Sequence, residues 1–87
     1  MTIEDWRAKI DLLDKRLLEL LSERAEYVLA VGKIKSEQNM EVFDPERERL
    51  IISNILRQNK GPLDDDALRR IFESVIDECR RIESNER

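Results

Sequence analysis

The stretch TIEDWRAKIDLLDKRLLELLSERAEYVLAVGKIK, residues 2–35, reads as one unbroken helix. It has no proline and a single glycine, Gly32. Trp6, Ile10, Leu13, Leu17, Leu20, Tyr27, Val31 and Ile34 recur in alternating steps of three and four, with one gap. That is the seam of a helix packed lengthwise against other helices. A second row, Leu18, Leu21, Ala25, Val28 and Leu29, widens the apolar face. Arg24 fills the gap in the seam, where the pattern asks for leucine. At 1.5 Å per residue the rod is roughly 50 Å long, too long for a lone globule of this size.

Beyond the rod, Ser36 to Phe43 lacks helical periodicity and reads as a loop, with Val42 and Phe43 tucking inward. Asp44-Pro45 is a start signal, a cap residue followed by proline at the first helical position. The second helix carries Leu50, Ile51, Ile52, Ile55 and Leu56, and stops at Asn59-Lys60-Gly61-Pro62. Asp64 opens the third, whose apolar face is Ala67, Leu68, Ile71, Phe72, Val75, Ile76, Cys79 and Ile82. The expectation is an all-α fold of three helices, one long and two shorter, with residues 1–87 as one domain. The two shorter helices span roughly 24 Å and 30 Å and together match the long one. Two chains with their long helices side by side would complete an intertwined helical-bundle homodimer.

Composition limits the function. The 87 residues are 40% hydrophobic and 41% charged, a helix-bundle profile rather than a disordered one. A core this small calls for a partner chain. The net charge of −4 argues against nucleic acid as the main partner, since a polyanion needs a basic face. One cysteine and no histidine exclude an intrachain disulfide and histidine-based catalysis, and argue against a zinc site. No run reaches the length of a membrane span, and the N-terminus is acidic rather than signal-like, so a cytoplasmic location is expected.

Most charges, including Lys15, Arg16, Arg49, Arg57, Arg69 and Arg70, read as solvent-facing, and Arg80 and Arg81 as cations suited to a helix end. Arg24 differs, because a guanidinium on the seam needs an anion to offset its lost hydration. Two sources remain open: a structural ion pair with Glu48 or Glu83, or an anionic ligand. Lys35 lies eleven residues on, about three turns, and points the same way. Gly32 near that line leaves space beside it. Arg47 sits in the first turn of the second helix, where the helix dipole disfavours a cation and an anionic ligand would remove the conflict. Glu48 follows at the edge of the inward face, and Cys79 and Glu83 stand one turn apart on the third helix. Alone, these read as a surface arginine, a small core cysteine and a solvated glutamate. Together they give several cations, two glutamates and no nucleophile–base pair. That set suits a small, multiply carboxylated ligand and catalysis by electrostatic fit.

Four pieces in order carry a resemblance: Trp6-Arg7-Ile10-Asp11, Leu20-Leu21-Ser22-Glu23-Arg24, Val31-Gly32-Lys33-Ile34-Lys35 and Phe43-Asp44-Pro45-Glu46-Arg47-Glu48. With them the chain resembles the all-helical (AroQ-class) chorismate mutases over nearly its whole length. The resemblance implies rearrangement of chorismate to prephenate, on the route to phenylalanine and tyrosine, with no cofactor or metal. It implies that Arg7 of one subunit and Arg24 and Arg47 of the other hold the substrate's two carboxylates. Lys35 would reach a carboxylate and the ether oxygen, and Glu48 with the backbone near Asp44 would bind the ring hydroxyl. Cys79 takes the place of a small polar residue near the ring carboxylate, although a thiol is a poor donor. Glu83 takes the place of a glutamine or glutamate that donates to the ether oxygen.

Helix geometry agrees independently. Arg7 and Arg24 lie about 25 Å apart on the rod and point roughly 100° apart, so one chain cannot bring both to one small molecule. Two other functions fit the same chain. Isochorismate pyruvate lyase uses this fold and a similar pocket, but Glu48, the expected hydroxyl partner, favours the mutase. A non-catalytic helical dimerisation or regulatory module is the third.

Overall fold

The computed structural model describes residues 1–86, with three helices in order: α1 (Ile3–Glu37), α2 (Pro45–Arg57) and α3 (Asp65–Asn85). There is no strand among the described residues. Each helix begins at a residue with a side-chain acceptor. Thr2 forms a capping box with Asp5: its hydroxyl accepts from Asp5 N at 3.1 Å, and Thr2 N donates to the Asp5 carboxylate at 2.9 Å. Asp44 accepts from Arg47 N at 3.1 Å, with Pro45 at the first helical position. Asp64 accepts from Ala67 N at 2.8 Å.

The ends are equally local. Asn39 stands at φ 56, and two bonds close the turn: Asn39 N to Ser36 O (3.2 Å) and Met40 N to Lys35 O (2.8 Å). This pairing satisfies carbonyls of the last helical turn, with asparagine in the left-handed position usually held by glycine. The reversal then carries Val42 back beside Lys35, whose Nζ donates to Val42 O at 2.9 Å. Between α2 and α3, Asn59 ties the turn. Its amide donates to Leu63 O and to Asp65 Oδ1, and its Oδ1 accepts from Gly61 N at 2.8 Å. Gly61 supplies the positive φ, 76°, that this turn needs.

The element that both others meet is α3. It packs against α1 and against α2, while no Cα of α2 comes within 8 Å of one in α1. Ile76, Cys79 and Glu83 are the buried residues of α3, each about one turn from the next. On α1 the partly buried residues are Arg24, Ala25, Val28, Leu29 and Lys35, with Gly32 fully buried. This is the C-terminal part of the second apolar row, extended by the two cations; Leu18 and Leu21, its first members, are exposed.

The seam row is another matter. Trp6, Ile10, Leu13, Leu17, Leu20, Tyr27, Val31 and Ile34 are all 49–63% exposed, and every residue from 1 to 23 is exposed. The rod protrudes: the chain measures 55 × 24 × 15 Å with a radius of gyration of 16.0 Å. A compact domain of this length has a radius of about 12 Å. Phe43 departs from expectation, being 54% exposed rather than tucked in, with the Arg80 guanidinium 4.8 Å over its ring. No helix among the described residues is long and apolar enough to cross a membrane.

Candidate functional site

The C-terminal half of α1, the start of α2 and the C-terminal half of α3 enclose a pocket of about 320 Å³. Its walls are apolar, from Val28, Val31, Val42, Ile51 and Ile76. Arg24, Lys35, Asp44, Arg47, Glu48, Cys79 and Glu83 all line it, so the structure brings together every candidate residue except Arg7. Arg7 lies on the exposed part of α1. A larger groove of about 710 Å³ runs between α2 and α3, but neither Arg24 nor Lys35 reaches it. Its basic residues, Arg49 and Arg69, share it with Glu73 and Asp77, so it carries no excess of positive charge.

Local structure explains the placement. Lys35 is in the last turn of α1, and the reversal at Asn39 puts Val42 O within reach of its ammonium. The same ammonium lies 3.3 Å from Glu83 Oε2, with both side chains largely buried. That contact is an ion pair without hydrogen-bond alignment, since Glu83 Oε2 has no hydrogen-bond partner among the described residues. Asp44 spends its carboxylate on the cap of α2. Tyr27, on the rim, donates its hydroxyl to Glu23 at 2.7 Å. That carboxylate acceptor pushes the phenol's pKa up, so Tyr27 is a neutral wall rather than a base.

The partners of the two glutamates differ from one of the two expectations for Arg24. Glu48 pairs with Arg80, which donates from Nη1 to both carboxylate oxygens at 2.9 and 2.7 Å. Glu83 pairs with Lys35. Neither serves Arg24, whose Nη1 is buried with no hydrogen-bond partner among the described residues. Arg47 likewise makes no ion pair among the described residues. The pocket therefore presents two uncompensated guanidiniums beside an ammonium shared with Glu83. Arg47 is exposed, but leaving Arg24 Nη1 buried without an anion is costly, so this arrangement favours an anionic guest.

Glu83 is only 6% exposed and is not the solvated helix-end residue that it would be read as alone. It lies across Gly32, where an added Cβ would stand 2.6 Å from Glu83 Cγ and 3.3 Å from its carboxylate carbon. The space that glycine leaves is thus filled by the glutamate. Gly32→Ala is expected to push Glu83 away from Lys35 and to cost about 1–3 kcal/mol by overpacking. Thermal unfolding of Gly32→Ala should recover towards the parent when Glu83→Ala is added, which removes the colliding atoms. A Gly32→Ala chain as stable as the parent would contradict this packing. Arg80 is the pocket residue that sequence reading missed. A contact between positions 32 residues apart leaves no periodic signal, although an inward Glu48 without a cation on its own helix face was a clue.

A family model described as chorismate mutase type II matches residues 6–84. The bifunctional chorismate mutase/prephenate dehydratase of Pseudomonas aeruginosa is 38% identical over 82 residues, 88% of this chain and 22% of that protein. The chain thus spans about a fifth of the length of the curated relatives it matches. Among solved structures, chorismate mutase (form II) from Thermus thermophilus superposes with a TM-score of 0.93 at 28% identity. That match covers 94% of this chain and 93% of the other. Chorismate mutase from Helicobacter pylori in complex with prephenate gives 0.87 at 30% identity, over 95% and 90%.

Proposed function

The chain belongs to the chorismate mutase type II family, and we propose that it rearranges chorismate to prephenate, in the service of phenylalanine and tyrosine synthesis in the cytoplasm. The observation that carries this reading is the pair of guanidiniums, Arg24 and Arg47, uncompensated in one apolar-walled pocket with Lys35. Chorismate is a dicarboxylate whose ether C–O bond breaks as a C–C bond forms within the same molecule. The reaction needs no external nucleophile, acid or redox partner, and the pocket offers no nucleophile–base pair.

Two guanidiniums can fix the two carboxylates and so select the folded conformer in which the bond-forming carbons meet. Lys35 then acts at the ether oxygen, where negative charge grows only in the transition state. Glu48, with the backbone near Asp44, accepts from the ring hydroxyl. Cys79 lies against the ring carboxylate, and Glu83 donates to the ether oxygen. Arg7 completes the site from a second copy. The exposed seam row, running roughly 42 Å from Trp6 to Ile34, supports this, since monomers rarely leave an apolar patch above a few hundred Å².

Incubating the chain separately with chorismate and isochorismate tests the reading. Loss of chorismate with equal formation of prephenate is expected. Inert chorismate, or faster release of pyruvate from isochorismate, would overturn it.

Substitution tests the role of Glu83. An amide donates through its N–H, whereas a methyl offers neither donor nor acceptor. Glu83→Gln should therefore keep most of kcat/KM for chorismate, and Glu83→Ala should lower it by about tenfold or more. A folded Glu83→Ala chain with parent-like kcat/KM would remove Glu83 from the chemistry.

A further inference from the structure

Arg80 is held from three sides. Its Nη1 donates to both oxygens of Glu48, at 2.9 and 2.7 Å, its Nη2 donates to Asp77 Oδ1 at 2.9 Å, and its guanidinium covers the Phe43 ring at 4.8 Å. A guanidinium gripped by a carboxylate on its own helix and stacked on an aromatic ring has little freedom left. Glu48, by contrast, stands in the first turn of α2, and among the described residues only Arg80 pairs with its carboxylate. Both residues line the pocket. Each carboxylate oxygen keeps further lone pairs once Arg80 has taken one, so Glu48 can still accept from a guest.

We infer that Arg80 is a positioning residue: it holds the Glu48 carboxylate in the one orientation that accepts the substrate's ring hydroxyl. The inference rests on the role proposed above for Glu48 and adds the group that fixes its aim. A glutamate has three rotatable bonds, and a loose one lowers the fraction of molecules ready to bind. Arg80 removes that freedom by joining α2 to α3 at the pocket wall. The contact with Glu48 is also geometric, because one nitrogen spans both oxygens while the rest of the fork is held by Asp77. An ammonium on a flexible stem would keep the charge and lose the alignment.

The test compares kcat/KM for chorismate and for a chorismate analogue lacking the ring hydroxyl, in the parent, Arg80→Met, Arg80→Lys and Glu48→Gln. Arg80→Met keeps an apolar stem over Phe43, and should lower kcat/KM for chorismate about ten- to hundredfold. Arg80→Lys should restore only part of this. For the analogue, parent and Arg80→Met should agree within about threefold, because there is no hydroxyl for Glu48 to bind. Adding Arg80→Met to Glu48→Gln should cost little more than Glu48→Gln alone. The ratio of the two substrates within one preparation is independent of how much of it has folded.

Equal losses on both substrates, or additive losses in the double variant, would overturn the assignment, since Arg80 would then act on the substrate or the fold directly. Parent-like use of chorismate by Arg80→Met would also overturn it. Failure of the parent to turn over chorismate would instead remove the mutase reading itself.

Discussion

Replacing Lys35 by alanine should lower kcat for chorismate by about two to three orders of magnitude, as removing one preorganised donor from a developing oxyanion does elsewhere. No neighbour can substitute. Arg24 and Arg47 are assigned to carboxylates, and Arg80 is committed to Glu48 and Asp77. Lys35 is also placed with unusual care for a long side chain. Val42 O accepts from its ammonium at 2.9 Å, and Glu83 Oε2 lies 3.3 Å away. Those contacts spend its rotational freedom before substrate arrives, so the charge is aimed rather than recruited.

The loss should appear in kcat more than in KM, because the ether oxygen gains its charge only as the bond breaks. The fold should survive. Lys35 stands in the last turn of α1, and its removal leaves the packing of α1 on α3 otherwise in place. Steady-state kinetics with circular dichroism on the same preparation checks both halves. A folded Lys35→Ala chain with near-parent kcat would take Lys35 out of the mechanism.

How much of this was legible beforehand follows the range of each interaction. Thr2, Asp44 and Asp64 mark helix starts through bonds to groups three residues away, and such local chemistry is written in the sequence. The end of α1 was less visible, because asparagine in the left-handed position looks like any polar loop residue until Met40 closes on Lys35. Clustering of Arg24, Lys35, Arg47, Glu48, Cys79 and Glu83 in one pocket was expected from helical phase and from the family resemblance.

The pairing inside the cluster was not. Charges on different helices can exchange partners freely on paper, and only packing decides that Glu48 meets Arg80 and Glu83 meets Lys35. Arg80 looked like a cation suited to the end of α3 because helix rules see only near neighbours. Phe43 looked like a core residue because an aromatic ring under a guanidinium has the same sequence signature as one in a core.

The seam on α1 gives the second large prediction. Its apolar row faces away from the rest of its own chain, and Arg7 stands beside it, far from the pocket that holds Arg24. A site needing both arginines must draw on two copies. Arg7→Ala and Arg24→Ala should each lower activity by about a hundredfold or more, since each would remove the charge-assisted contact proposed for a substrate carboxylate. Arg24→Ala also removes a partly buried cation whose Nη1 has no partner among the described residues, so its folded state should be no less stable than the parent.

In a mixed dimer, one site combines Arg24 of the first variant with Arg7 of the second, and the other site has neither. Random exchange makes half the dimers mixed, with one complete site in each, so about a quarter of parental activity should return. The decisive measurement is therefore chorismate turnover after the two inactive variants are mixed and exchanged, with mixed dimers counted in the same sample. Activity rising towards that quarter, in step with the mixed dimers, is the expected result. A mixture that stays inactive while mixed dimers form would contradict a site shared between two copies.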